Sequence, residues 1–224
     1  MIALDFDENK TLAVIFDTEW YVPTSDRTNS LASLKVNPAK QGHRFIGGIF
    51  SSFPPLKHGA EVEKIEIFVK SLSDQEEERV LKEVYLLFNK YWQQLGEKRD
   101  NVPDLITIGT GIARLDIPGL YVRSSLLKID EYAKLYETYL KTKIVDLSEV
   151  AIPYLNKGRP KLLYPVATNS IMRRFGINED LKSSGKSVWD MADENDFEGI
   201  KKRVRGEVSA LSKIYWKLAG EIFH

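Results

Sequence analysis

Three acidic segments stand where apolar residues would be expected, and they are the residues with the most chemical content. Asp17 and Glu19 follow the apolar run TLAVIF at residues 11–16. Their spacing puts both side chains on one face of an extended chain. Two like charges on one face repel each other unless a cation lies between them. Asp116 sits among aliphatic residues in IARLDIPGL, residues 112–120, just past Gly109-Thr110-Gly111. Glu207 interrupts a stripe. Ile200, Val204, Leu211, Ile214 and Leu218 follow helical spacing, and the member missing from that series is position 207. An acid in a core-facing stripe is costly unless it is paired or bound to metal. Carboxylates converging on one point suit hard divalent cations such as Mg²⁺ or Mn²⁺. A pair of such ions can activate water and stabilise the leaving oxygen of a phosphodiester. Each acid also has a plainer reading. Asp17-Thr18-Glu19 can be a strand end entering a solvated turn, and Asp116 can cap the turn ahead of Pro118. Glu207 can reach the edge of a slightly rotated helix and pair with Arg203.

Composition removes several competing chemistries. The chain has no cysteine, which excludes disulfides, cysteine-bound zinc and a thiol nucleophile. His43, His58 and His224 are far apart in sequence, which argues against a histidine-rich metal site. The formal net charge is zero, so any nucleic-acid contact must come from local patches. Candidates are Lys201-Lys202-Arg203 with Arg205, Arg173-Arg174, and Lys35, Lys40 and Arg44. A charged fraction of 29% without cysteine fits a heat-tolerant intracellular protein. No apolar run approaches the roughly 20 residues of a membrane span. Met1 to Asp5 lacks the basic start of a signal peptide. The expectation is a soluble, cytoplasmic chain without a membrane partner.

The elements that must position these acids follow from periodicity and punctuation. Residues 11–16, 43–50 (HRFIGGIF) and 64–69 (KIEIFV) read as three successive strands, with Pro54-Pro55 and Gly59 between the last two. Ser73-Asp74-Gln75-Glu76 has the form of a capping box. The helix it opens runs to about Leu95, with Val80, Val84, Leu87, Phe88 and Tyr91 at helical spacing. LITI at 105–108 and KIVDL at 143–147 read as two further strands, separated by a mostly helical segment over 124–140. Helices are expected over 168–175, stopped by Gly176, and over about 193–223. Gly158-Arg159-Pro160 and Lys182 to Lys186 read as loops. This order predicts one mixed-sheet α/β domain over residues 1–224.

Taken together, these segments resemble the DnaQ-like DEDD 3′→5′ exonucleases of the RNase H-like superfamily. The closest pattern is that of family-B DNA polymerase proofreading domains and their free-standing relatives. Ile15-Phe16-Asp17-Thr18-Glu19 resembles the first motif, and Gly109 to Leu120 the second. Lys143 to Leu147 resembles the strand between the second and third motifs, and Ile171 to Ile177 the small helix after it. Gly206-Glu207-Val208 through Leu218 resembles the third motif. The resemblance covers roughly residues 12–218. It implies an RNase H-like five-stranded mixed sheet flanked by helices. It also implies two Mg²⁺ or Mn²⁺ ions held by Asp17, Glu19, Asp116 and Glu207, and a substrate that is the 3′ end of single-stranded DNA or RNA. Trp20 and Tyr21 could then stack on a terminal base or simply pack at a strand end, while Lys202 and Arg203 could contact phosphate or lie on a solvated helix face.

Three departures stand out. Glu207 occupies a position where the family usually has Asp. The residue that orients or activates water is normally a Tyr four positions before that acid or a His five before, but here those positions hold Arg203 and Lys202. Neither is a ready base at neutral pH. Gly111 and Leu115 replace the usual Asn and Phe of the second motif. These departures leave open an active exonuclease with altered water activation, a catalytically weak or inactive module that binds nucleic acid or a partner, and an RNase H-like endonuclease.

Overall fold

Alternation along one strand decides which way the acids point. The computed structural model describes residues 11–27, 35–55, 62–96, 104–155, 166–177 and 186–223. Strand β1 spans Thr11–Tyr21, β2 Arg44–Phe53, β3 Glu63–Phe68, β4 Asp104–Gly109 and β5 Lys143–Asp146. They form one five-stranded sheet in the order β3-β2-β1-β4-β5. The first three strands make an antiparallel meander, and β4 and β5 run parallel to β1. With helices on both faces, this is the mixed five-stranded α/β sheet that the sequence predicts. β1 is longer than the apolar run suggested, because pairing with β2 continues through Asp17 and Glu19 to Tyr21. Pairing with β4 stops at Ile15↔Ile108. The acids therefore lie within a strand, beyond the point where its parallel neighbour ends, rather than at a strand end.

One face of the sheet carries α1 (Asp74–Leu95) and α2 (Asp116–Leu126). Phe16 and Phe50 stack at 5.4 Å between ring centroids, and both meet Phe88 of α1 edge-on. Ser73 caps α1 by accepting from the Glu76 amide at 3.2 Å. Only this half of the capping box forms, because the Glu76 carboxylate instead accepts from the Lys70 amide and from Arg79. The segment read as one helix over 124–140 is broken at Lys128, where φ is 54°. It resumes as α3 (Tyr132–Leu135) and a π-helical turn over Tyr136–Leu140, which seats buried Tyr139 against Phe88. Burial raises the pKa of the Tyr139 phenol.

The chain then passes through two short helices, α4 (Leu147–Val150) and α5 (Ile152–Leu155), to α6 (Thr168–Arg174). α7 (Lys186–Asp193) follows. The last helix is shorter than predicted, since Asn195 adopts φ 59° and α8 covers Phe197–Phe223. Its buried stripe of Ile200, Val204, Leu211, Ile214 and Leu218 packs on the sheet face opposite α1, and Phe53 of β2 meets Tyr215 and Trp216 there. Gly158-Arg159-Pro160, Gly59, and positions 182–185 of the second predicted loop lie outside the described residues. No helix among the described residues is long and apolar enough to cross a membrane.

Candidate metal centre

β1 alternation puts Val14, Phe16 and Thr18 toward α1, and Asp17 and Glu19 toward α8. α8 answers with Glu207, the acid in its apolar stripe. Carboxylate oxygens of Asp17, Glu19 and Glu207 all lie within 4.8 Å of one another, and all three residues are buried. Arg203 stands one turn before Glu207 on the same helical face. Its guanidinium pairs with both partners, Nε at 3.2 Å from Glu19 Oε1 and Nη2 at 3.0 Å from Glu207 Oε1. Nη1 donates to Ser187 Oγ of α7 at 2.7 Å. The two readings of Glu207, metal ligand or partner of Arg203, thus meet in one arrangement.

Asp116 lies outside the converging trio. It is buried at the first position of α2, where a negative charge complements the helix dipole. Its Oδ1 accepts a short hydrogen bond from the Thr18 hydroxyl, and Trp20 Nε1 donates to that hydroxyl at 3.2 Å. The order of the acids therefore differs from their prominence in sequence. Glu207 converges with Asp17 and Glu19, whereas Asp116 contacts the residue between them on the other face of the strand.

The glycines of the second motif have conformational reasons. Gly111 has φ 77° and donates its amide to Asp146 Oδ1 at 3.0 Å. Asn is among the few other residues that tolerate that backbone region, so the Gly-for-Asn departure conserves a backbone shape. Asp146 also caps α4 through the Ser148 amide at 3.0 Å. It clamps the loop ahead of Asp116 to the end of β5. Its role was hidden in sequence because Gly111 is 35 residues away.

The aromatic pair after Glu19 makes contacts within the fold. Trp20 is buried, meets Phe45 edge-on at 5.1 Å, and lies where a side chain at Gly119 would collide with its ring at 2.8 Å. Tyr21 donates to Asp193 Oδ1 at 2.8 Å and lies under Arg27, which also covers Trp189. Partial burial, and then the Asp193 bond, raise its phenol pKa. Trp20 is thus part of the core, and Tyr21 ties β1 to α7. Of the basic residues, Lys202 is exposed, Arg205 forms a two-point pair with Glu66 at 2.7 and 2.8 Å, and Lys201 pairs with Glu198. Arg203 points into the acids.

No protein-family model matches the chain, and no curated protein matches it. Two solved structures from E. coli are similar to it. One is the zinc-bound form of the exonuclease I complex with single-stranded DNA, at TM-score 0.49 and 13% identity over 82% of this chain and 39% of that one. The other is exonuclease I in complex with a 5cy-dA13 oligonucleotide, at TM-score 0.47 and 14% identity over 81% and 39%. The chain thus spans about two fifths of the length of the solved chains it matches.

Proposed function

We propose that this chain is a DnaQ-like, metal-dependent 3′→5′ exonuclease domain acting on single-stranded DNA or RNA ends. The observation that carries this reading is the convergence of Asp17, Glu19 and Glu207 within 4.8 Å on one buried face. The donor set fits a hard divalent ion such as Mg²⁺ or Mn²⁺, because it consists of carboxylate oxygens with no sulfur or imidazole. Three carboxylates gathered at one buried point repel one another, and a bound cation relieves that repulsion. Bound there, divalent ions would supply Lewis acidity to the phosphate and lower the pKa of the attacking water.

The chain's own residues hold the site's geometry. β1 fixes Asp17 and Glu19 at a spacing that any strand enforces, and α8 brings Glu207 to them. Asp116, whose Oδ1 accepts from Thr18 at the start of α2, would supply the fourth acid. In the hydrolysis, a water oxygen forms the bond to phosphorus and the bond from phosphorus to the 3′-oxygen breaks. The water's proton goes to solvent, and the departing 3′-oxygen takes a proton from solvent. The products are a shortened strand with a 3′-hydroxyl and a nucleoside 5′-monophosphate.

The presence of Arg203 among the acids supports a second reading, a catalytically weak or inactive module that binds nucleic acid or a partner. One assay separates the two. End-labelled single-stranded DNA and RNA are incubated with the protein in Mg²⁺ or Mn²⁺, beside Asp17→Ala. Stepwise shortening from the 3′ end that disappears in the variant is the expected result. Binding without cleavage in either metal would favour the second reading, and cuts in a circular substrate would point to an endonuclease.

A further inference from the structure

We propose that Arg203 is a built-in cation of the acidic site, standing where one of two divalent ions would otherwise sit, so that the chain takes up a single ion. This inference rests on the metal reading above. Three observations carry it. The guanidinium contacts two different acids of the trio, Glu19 at 3.2 Å and Glu207 at 3.0 Å. It is held from a third side by Ser187 at 2.7 Å, so β1, α7 and α8 together fix its position. Its side chain is only 9% exposed, comparable with the 11% and 7% of the two carboxylates.

Charge makes the same point. A guanidinium does not deprotonate in a protein. With Arg203 in place, the converging carboxylates already share one fixed positive charge at the point where a second ion would gather its ligands, which weakens their attraction for that ion. An ion between Glu19 and Glu207 would also need their oxygens at about 2.0–2.6 Å, in the space the guanidinium spans. Arg203 would therefore present fixed positive charge to a bound phosphate from a preorganised position.

The test is a calorimetric titration of the full chain with MnCl₂ in the absence of nucleic acid, with free Mn²⁺ followed by electron paramagnetic resonance. Wild type is expected to bind about one Mn²⁺ per chain, and Arg203→Gln about two, as a two-metal site would. Arg203→Lys, which keeps the positive charge, is expected to stay at about one. Wild type binding two ions with similar affinity would overturn the proposal, and so would Arg203→Gln remaining at one. The wild-type count decides the matter even if Arg203→Gln fails to fold. Absence of Mn²⁺ uptake by wild type and by a folded Arg203→Gln overturns the metal reading itself, a result distinct from uptake with the wrong count.

Discussion

Glu77 and Glu207 carry the same sequence signature, an acid in line with the apolar stripe of a long helix, yet they end in opposite surroundings. Glu77 of α1 is 1% exposed. Arg123 of α2 grips it at two points, with Nε to Oε1 and Nη2 to Oε2 both at 2.7 Å. The Phe45 amide adds a third donor at 2.7 Å, and Arg123 Nη1 reaches the Pro38 carbonyl at 3.3 Å. Here the acid meets the Arg123 guanidinium in planar, two-point geometry, the strong form of the pair, and Arg44 Nη1 lies 3.7 Å from its Oε2. Glu207 also has an arginine, but Arg203 is shared with Glu19, and Asp17 stands beside them. The first cluster ties α1, α2 and β2 together. The second concentrates negative charge at the place where β4 stops pairing with β1.

The sharpest way to break this comparison is to turn each acid into its amide. Glu77→Gln should cost about 3–5 kcal/mol, because it strands the Arg123 charge in the interior. Chemical denaturation measures that cost, and a loss below about 1 kcal/mol would mean that the pair is not a structural tie. Mn²⁺ should act on the other cluster alone. At about 100-fold excess over its dissociation constant, it should add about 2.7 kcal/mol to wild type and to a folded Glu77→Ala/Arg123→Ala variant, but little to Asp17→Asn. Thermal melts with and without the ion read this directly, and an equal rise in Asp17→Asn would move the ion elsewhere.

Glu207→Gln should be neutral to stabilising in the presence of a chelator, by about 1 kcal/mol, because it relieves repulsion within the trio. For a chain of this size that is a rise in Tm of about 2–4 °C, opposite in sign to Glu77→Gln. A clear fall in Tm would place Glu207 in the same class as Glu77. The smallest effect belongs to a solvent-facing acid. Hydrogen bonds from Arg79, and then from the Lys70 amide, lower Glu76 from 4.5 to about 2. A depressed carboxyl pKa stabilises the fold above the unfolded value and loses that contribution as pH falls through the folded value. Glu76→Gln should therefore lower Tm slightly at neutral pH, where that contribution is fully present, and converge with wild type as the acid limb runs from pH 4.5 to about 2.

Much of the architecture was legible because it depends on short-range rules. Hydrophobic runs and glycine or proline punctuation located all five strands, and the Ser73 cap located the start of α1. The break at Lys128 was not legible, because lysine at positive φ carries no sequence punctuation, whereas Asn195 is a residue type that tolerates that region. Trp20 illustrates the same limit at the site. Its neighbours in sequence suggest a surface ring beside Glu19, but the small side of Gly119, about a hundred positions away, receives it into the core.

The sequence by itself determined that Asp17 and Glu19 share a face and that Glu207 lies in an apolar stripe, since both follow from the repeat of a strand and of a helix. Tertiary structure decided which acids meet. Only the packing of α8 on the sheet brings Glu207 to Asp17 and Glu19, turns Arg203 inward onto two of them, and leaves Asp116 bonded to Thr18. Local periodicity fixes the direction of a side chain relative to its own element, whereas charge balance at a buried point depends on residues that the chain brings together from nearly two hundred positions apart.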